Sequence, residues 1–132
     1  MDLTTKSCLI VEDDFLISEG LRMHVEHAGA KEVSVFLTLA SAMEFLDSTS
    51  PSFAILDVNL NGGITSIPVA RLLNERRIPY MFLTGYGEFT DLDGQFQSIP
   101  VVTKPATKEE LLEVIHALLR SQDGDHANLR KC

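Results

Sequence analysis

Five side chains of this 132-residue chain are of types that together could hold a cation and transfer a phosphoryl group. Glu12 and Asp13 follow one short apolar run, Asp57 ends a second, Thr84 ends a third and Lys104 follows a fourth. Each residue alone is ordinary at a turn or at the start of a helix, so the inference depends on their joint occurrence. Carboxylates brought close together repel one another, and a hard cation such as Mg²⁺ relieves that repulsion. A lysine and a hydroxyl can then stabilise charge on phosphoryl oxygens, which is the role expected of Lys104 and Thr84.

The residue types also indicate a separate role for each carboxylate. We expect Asp13 and Asp57 to give Mg²⁺ an oxygen each. The backbone carbonyl of Asn59 would supply a third oxygen, and Glu12 would act through a water molecule. Asp57 is the candidate nucleophile, because a carboxylate can attack phosphorus to form an acyl phosphate and this one ends the central apolar run.

Short apolar runs separated by amphipathic stretches predict the elements that position these residues. The predicted strands cover residues 7–11, 33–37, 53–57, 80–84 and 99–103. The predicted helices cover residues 14–29, 38–48, 66–76 and 107–120, with a short, weak helix between 85 and 98. Thr38 is the expected N-cap of the second helix, and Thr107 with Glu110 forms a capping box that opens the last. This alternation predicts an α/β fold with a parallel sheet between helices on both faces, which places the reactive strand ends at one edge.

Two apolar stripes run along the predicted first helix. The spacing of Ile17, Leu21 and Val25 predicts the face that packs on the sheet. Leu16 and Met23 lie on a second stripe, which either packs on the edge of the sheet or is available to a partner.

Length, composition and charge exclude several classes of protein. The length predicts one domain with a core of its own. A formal net charge of −8 disfavours binding to nucleic acid phosphates. No apolar run approaches the length of a membrane span, and the amino terminus lacks the apolar segment of a signal peptide. Cys8 and Cys132 are interpreted as free thiols, so we expect a cytoplasmic protein.

As a set, these residues resemble the receiver domain of two-component response regulators. The resemblance rests on Glu12-Asp13 after the first strand, Asp57 with Asn59 after the third, Thr84-Gly85 after the fourth and Lys104-Pro105 after the fifth. It spans about residues 6–121. It implies a (βα)₅ flavodoxin-like topology with strand order 2-1-3-4-5, over a receiver domain at 1–121 and a polar tail at 122–132.

The resemblance implies a phosphoacceptor that signals by protein contact. Asp57 would receive a phosphoryl group from a sensor histidine kinase or a histidine phosphotransfer protein, with Mg²⁺ as cofactor. The Lys104-Pro105 peptide bond would be cis. Partner helices of this family dock near the first helix and the loop after the last strand, which makes Leu16, Met23 and Pro105 candidate contacts. With no DNA-binding segment expected after the last helix, the output would be a downstream protein, an onward phosphotransfer or a phosphate sink.

One departure from the family pattern concerns the conformational switch. The family usually has an aromatic residue three positions before the lysine, and this sequence has Val101 there. The segment from Phe82 to Tyr86 resembles a Phe-Ala-Thr-Gly-Tyr-like signature of single-domain receivers, common in stress signalling of alphaproteobacteria. We expect Tyr86 to report the state of Thr84, although Tyr86 could equally pack over the weak helix that follows.

Three other functions compete with this interpretation. A phosphatase of the haloacid-dehalogenase type uses similar residues, but in that family the aspartate nucleophile comes first and the acidic pair late, the reverse of the order here. A receiver-like binding module without phosphoryl turnover would not need all five of the side chains that could hold a cation and transfer a phosphoryl group. A flavodoxin-like FMN carrier would need a phosphate-binding loop after the first strand, where the sequence has acidic residues. We therefore expect no enzyme activity beyond the domain's own phosphorylation and dephosphorylation.

Overall fold

A five-stranded parallel sheet forms the centre of the molecule. The computed structural model describes residues 2–85 and 96–131, with side chains through Ser121 in the last helix. The strands are β1 (Ser7–Val11), β2 (Glu32–Phe36), β3 (Phe53–Asp57), β4 (Tyr80–Thr84) and β5 (Val101–Thr103). They lie in the order β2-β1-β3-β4-β5, and every neighbouring pair is parallel. The predicted fold class and strand order are confirmed.

Four α-helices connect or follow the strands in the described residues. They are α1 (Phe15–His27), α2 (Leu39–Ser48), α3 (Ile67–Glu75) and α4 (Lys108–Lys131), with a 3₁₀ turn at Asn61–Gly63. The predicted weak helix between β4 and β5 falls largely on residues 86–95, which lie outside the described residues. None of the helices in the described part of the chain is both long and apolar enough to cross a lipid bilayer.

Each face of the sheet packs against two helices. Alternate residues of the strands point to opposite faces, so Ile55 and Met81 join the layer of α1 and α4, while Leu56 and Phe82 join the layer of α2 and α3. Every residue of β3 and β4 is buried. The continuous apolar runs of these strands follow from burial on both faces.

Side-chain caps fix where three helices begin. The Thr38 hydroxyl accepts a hydrogen bond from the Ser41 N–H, as predicted. The reciprocal bonds between Thr107 and Glu110 form the predicted capping box. Asp14 caps α1 by accepting a bond from the Ile17 N–H. Asp14 thereby belongs to the start of the helix that follows the acidic pair.

An arginine closes the carboxyl-terminal end of α2. The Arg76 guanidinium donates to the carbonyl oxygens of Leu46 at 2.7 Å and Thr49 at 3.2 Å, and to the Ser50 hydroxyl at 3.2 Å. The last carbonyls of a helix have no partner within the helix, so these bonds satisfy oxygens that would otherwise depend on water. Because Arg76 is the C-cap of α3, they also fasten α2 to α3.

The predicted bounds of β2 and of the first three helices were off by one or two residues, and three further details of the prediction were wrong. β5 starts at Val101 and not at residue 99, because Pro100 has no N–H with which to join the ladder. α4 continues past Arg120 to Lys131, because the polar residues there contain no proline to end a helix. Ile17 is 37% exposed, and Ser18 takes the buried position in α1 because its hydroxyl is satisfied by the Phe15 carbonyl at 2.7 Å.

Candidate functional site

The sheet register brings the ends of four strands together. Glu12 follows β1 directly, and Val11 pairs with Leu56, the residue before Asp57. Asp57 pairs with Leu83, the residue before Thr84. All of these ends face the same edge of the parallel sheet, where a doubly wound fold binds its ligands.

An acidic cluster formed by Glu12, Asp13 and Asp57 lies at this edge. Each of the three residues offers one carboxylate oxygen, and the three oxygens lie within 4.8 Å of one another. Glu12 and Asp57 are buried, whereas Asp13 is partly exposed. The structure thus brings together the three carboxylates that the sequence analysis selected as metal ligands.

Lys104 reaches into the cluster from the segment after β5. Its ammonium nitrogen lies 2.6 Å from Glu12 Oε1 and 3.2 Å from Asp57 Oδ2, and its side chain is 18% exposed. The backbone helps to fix this reach, because the Lys104 N–H donates a 2.8 Å bond to the Thr84 carbonyl. The Lys104-Pro105 peptide bond is cis, as expected.

The remaining oxygens of the two buried carboxylates differ in their surroundings. Glu12 Oε2 accepts a 3.0 Å bond from the Asp14 N–H, so Glu12 is held from both sides. Asp57 Oδ1 is buried and has no hydrogen-bond partner among the described residues. A buried carboxylate oxygen without a donor is costly unless a cation or another donor satisfies it.

Burial and charge shift the protonation of the central groups. Burial, together with the negative charge of Glu12, raises the pKa of Asp57 from 3.8 to about 7, and the Lys104 ammonium opposes that rise without cancelling it. Burial alone would lower the pKa of Lys104. The hydrogen bonds and charges of Glu12 and Asp57 outweigh burial, so the pKa of Lys104 lies above its ordinary value.

Asn59 and Thr84 both follow Asp57 along the chain. Thr84 is buried at the end of β4, and its hydroxyl donates a long 3.4 Å bond to the Gly85 carbonyl. Asn59 lies in a tight turn and pairs with Thr65 in an isolated antiparallel bridge. The bonds of that bridge run from the Ser66 N–H to the Val58 carbonyl and from the Leu60 N–H to the Ile64 carbonyl. This turn holds the backbone two residues beyond Asp57.

The candidate partner contacts lie on the surface. Leu16 is 80% exposed and Met23 is 55% exposed, so neither side chain is buried against the edge of the sheet. Pro105 is also exposed. It lines a groove of about 410 Å³ between α1 and the segment after β5, whose other lining residues include Ile17, Gly20, His24, Lys104 and Ala106.

The sequence analysis missed one exposed aromatic residue, Phe15, and its expectation for a second, Tyr86, stays a prediction. Phe15 is 60% exposed at the start of α1. The run Phe15-Leu16-Ile17 contained the signal, because three consecutive apolar residues exceed what one buried helix face can accept. Tyr86 lies outside the described residues. Val101 is exposed on the edge strand β5, so its side chain is not part of the hydrophobic core.

The fold and the cluster define a receiver domain, and the comparison with known proteins agrees. Residues 8–116 match the response regulator receiver domain family. The chain belongs to this family, whose domain is a signalling module of two-component systems.

Particular relatives are similar in sequence, and some also in structure. The chain is 32% identical over 116 residues to the heme response regulator HssR of Staphylococcus haemolyticus, an alignment that covers 86% of this chain and 51% of HssR. The chain thus spans about half the length of the curated relative it matches. The solution structure of SdrG from Sphingomonas melonis Fr1 is 38% identical, with a TM-score of 0.77 over 90% of this chain and 99% of SdrG. The BeF₃-activated conformation of SdrG from Pseudomonas melonis Fr1 gives a TM-score of 0.71 at 38% identity, over 89% of this chain and 98% of that structure.

Proposed function

We propose that Asp57 is the phosphoacceptor of a two-component pathway and that Mg²⁺ assists the transfer. The observation that carries this proposal is the acidic cluster with the Lys104 ammonium between two of its carboxylates. A phosphoacceptor site needs a nucleophile, a place for the cation and a positive group for the phosphoryl oxygens. The cluster combines all three at one edge of the sheet.

The residues of the cluster suit Mg²⁺, which prefers carboxylate and carbonyl oxygens and retains several waters. Asp13 and Asp57 would hold the ion, with the Asn59 carbonyl as a third ligand and Glu12 acting through water. The unpartnered Asp57 Oδ1 supports this assignment, because a cation would satisfy a buried oxygen that no described donor reaches. When bound, the ion would neutralise charge on the phosphoryl group.

The proposed reaction transfers a phosphoryl group from nitrogen to oxygen. A carboxylate oxygen of Asp57 attacks phosphorus, the phosphorus–nitrogen bond of a phosphohistidine breaks, and the bonding electrons return to the imidazole nitrogen. The Lys104 ammonium is placed to stabilise the developing negative charge, because it already lies 3.2 Å from Asp57 Oδ2. The Thr84 hydroxyl, at the end of the neighbouring strand, would donate to another phosphoryl oxygen.

The phosphodonor would be a sensor histidine kinase or a histidine phosphotransfer protein, and we place this exchange in the cytoplasm. The exposed apolar side chains of Leu16 and Met23, together with Pro105 in the groove beside α1, would contact the donor helix. Pro105 directly follows Lys104, and Leu16 lies in the first turn of α1, which follows the acidic pair. The signal would then pass to a downstream protein or onward as a phosphoryl group.

A small phosphodonor tests the chemistry without a partner protein. The protein is incubated with phosphoramidate, with and without Mg²⁺, and the gain of one phosphoryl group is followed by intact mass spectrometry. We expect phosphorylation that requires Mg²⁺ and is lost in Asp57→Asn. The matched control is Asp14→Asn, which removes a neighbouring carboxylate but keeps a good N-cap, and it should react like the wild type. Phosphorylation that persists in Asp57→Asn would contradict the proposal, and no phosphorylation of the wild type would favour a pure binding module.

A further inference from the structure

The turn that follows β3 carries an exposed asparagine directly before a glycine. Asn61, Gly62 and Gly63 form a 3₁₀ turn, and all three residues are exposed. Both glycines have a positive φ, 73° at Gly62 and 76° at Gly63, a conformation that residues with a side chain rarely adopt. A Cβ atom placed on Gly62 would have open space around it. The peptide bond between Asn61 and Gly62 is therefore accessible to water.

Hydrogen bonds hold the base of this turn more firmly than its tip. At the base, the Leu60 N–H donates a 2.7 Å bond to the Ile64 carbonyl, and the Ser66 N–H donates a 3.1 Å bond to the Val58 carbonyl. At the tip, the Asn61 carbonyl accepts a 3.4 Å bond from the Ile64 N–H, and a bond of that length is weak. The peptide unit after Asn61 can therefore rotate without the loss of a strong hydrogen bond.

We propose that Asn61 is a site of spontaneous deamidation, which converts it to aspartate or isoaspartate. The Gly62 N–H loses its proton to hydroxide, and its nitrogen attacks Cγ of Asn61. A carbon–nitrogen bond forms, the bond from Cγ to Nδ2 breaks, and the amide nitrogen takes a proton from water and leaves as ammonia. Water then adds to one of the two carbonyls of the resulting succinimide and opens the ring. This modification does not depend on the proposed phosphoacceptor role of Asp57.

Two other asparagines whose side chains the structure describes lie in less favourable surroundings. Asn59 precedes the buried Leu60 and is held in the bridge to Thr65. Asn74 is exposed but lies in α3, where its Oδ1 accepts a 2.9 Å bond from the Tyr80 hydroxyl. In both cases the next residue has a side chain, which crowds the nitrogen that must attack, whereas glycine leaves that nitrogen open. These two asparagines therefore serve as internal controls for Asn61.

Deamidation would change both the charge and the backbone of the turn. Either product adds one negative charge four residues after Asp57, and isoaspartate also lengthens the main chain by one methylene group. The same turn contains Asn59, whose carbonyl is a proposed ligand of Mg²⁺. The added charge would thus lie in the segment that borders the acidic cluster along the chain.

Peptide mapping of aged protein provides the first test. Wild type and Asn61→Gln are kept in native buffer for several weeks at mildly alkaline pH and physiological temperature, and electron-transfer fragmentation locates each change. We expect Asn61 to deamidate roughly tenfold faster or more than Asn59 and Asn74, because it combines an exposed tip with a following glycine. The rate should rise with pH, since the Gly62 nitrogen must lose its proton. An Asn61 that stays intact, or that changes no faster than the two controls, would overturn the proposal.

Enzymatic labelling provides a second test, which measures isoaspartate in the intact protein. Protein isoaspartate methyltransferase transfers a radiolabelled methyl group to isoaspartate, and the label is counted in fresh and aged samples. Asp93-Gly94 and Asp123-Gly124 can also form isoaspartate, but they contribute equally to wild type and to Asn61→Gln. Aged wild type should therefore gain several-fold more label than the aged variant. Equal labelling of the two aged proteins would overturn the assignment of the modification to Asn61.

Discussion

The replacement of Asp57 by asparagine should make the metal-free protein more stable, by an amount that depends on pH. Burial raises the pKa of Asp57 to about 7, compared with 3.8 for the same group in an unfolded chain. The folded protein therefore binds this proton more tightly than the unfolded chain does. Stability from this group is fully present below about pH 4 and is lost as the pH rises from there to about 7, because over that range the unfolded chain releases the proton that the folded state keeps.

The size of the effect follows from that difference. Each pKa unit corresponds to about 1.4 kcal/mol, so at about pH 8 the ionised carboxylate costs on the order of 2–4 kcal/mol of unfolding free energy. Asparagine has nearly the same shape and no charge, so Asp57→Asn should recover this amount at pH 8. At about pH 5 the unfolded carboxyl is already mostly ionised, so roughly a third of the difference between the two proteins should remain, and it should approach zero only below about pH 4.

Urea unfolding followed by circular dichroism measures this difference directly. Wild type, Asp57→Asn and the control Asp14→Asn are unfolded in a chelating buffer at several values between about pH 4 and pH 8. The control should stay within about 0.5 kcal/mol of wild type throughout, because its carboxylate is exposed and its cap is kept. A stabilisation that does not change with pH, or no stabilisation at pH 8, would refute the conclusion that Asp57 is a buried carboxyl group with a raised pKa.

Three further predictions concern the framework, the partner surface and the switch. Arg76→Ala removes three hydrogen bonds at the end of α2 and should lower the unfolding free energy by about 1–3 kcal/mol in urea titrations. Arg76→Lys should lower it by a smaller amount. An unfolding free energy that Arg76→Ala leaves unchanged would show that water replaces the guanidinium. Leu16→Ser and Met23→Ser should slow phosphorylation by the cognate histidine donor severalfold while leaving the phosphoramidate reaction unchanged, and equal effects on both reactions would remove these residues from the partner surface. If Tyr86 reports the state of Thr84, then Tyr86→Ala and Thr84→Ala should both abolish phosphorylation-dependent partner binding in pull-down assays; binding that survives in Tyr86→Ala alone would leave Tyr86 as a packing residue.

The sequence was sufficient for the fold because the strands carry an unambiguous pattern. Uninterrupted apolar runs such as Phe53–Asp57 occur where a strand is covered on both faces, and their bounds were predicted to the residue. The pattern was less informative where a polar group replaces an apolar one in the core. Ser18 takes the buried position predicted for Ile17, because a hydrogen bond to its own helix satisfies the hydroxyl, which no count of apolar residues reveals.

The membership of the candidate site was predictable, but its internal contacts were not. In a parallel sheet the strand ends share one edge, so residue type and strand position were enough to select Glu12, Asp57 and Lys104. Which carboxylate Lys104 approaches most closely depends on side-chain geometry, and the contact with Glu12 is shorter than that with Asp57. The bond from the Asp14 N–H to Glu12 is likewise a result of the local turn.

Identification of the phosphorylated residue is the most direct test of the account. The protein is phosphorylated with phosphoramidate in the presence of Mg²⁺ and then reduced with borohydride, which converts an aspartyl phosphate to homoserine. Peptide mass spectrometry should then find homoserine at position 57 in place of aspartate. Homoserine at position 13 or 14, or phosphate retained on a histidine or serine peptide, would contradict the assignment of Asp57 as the acceptor.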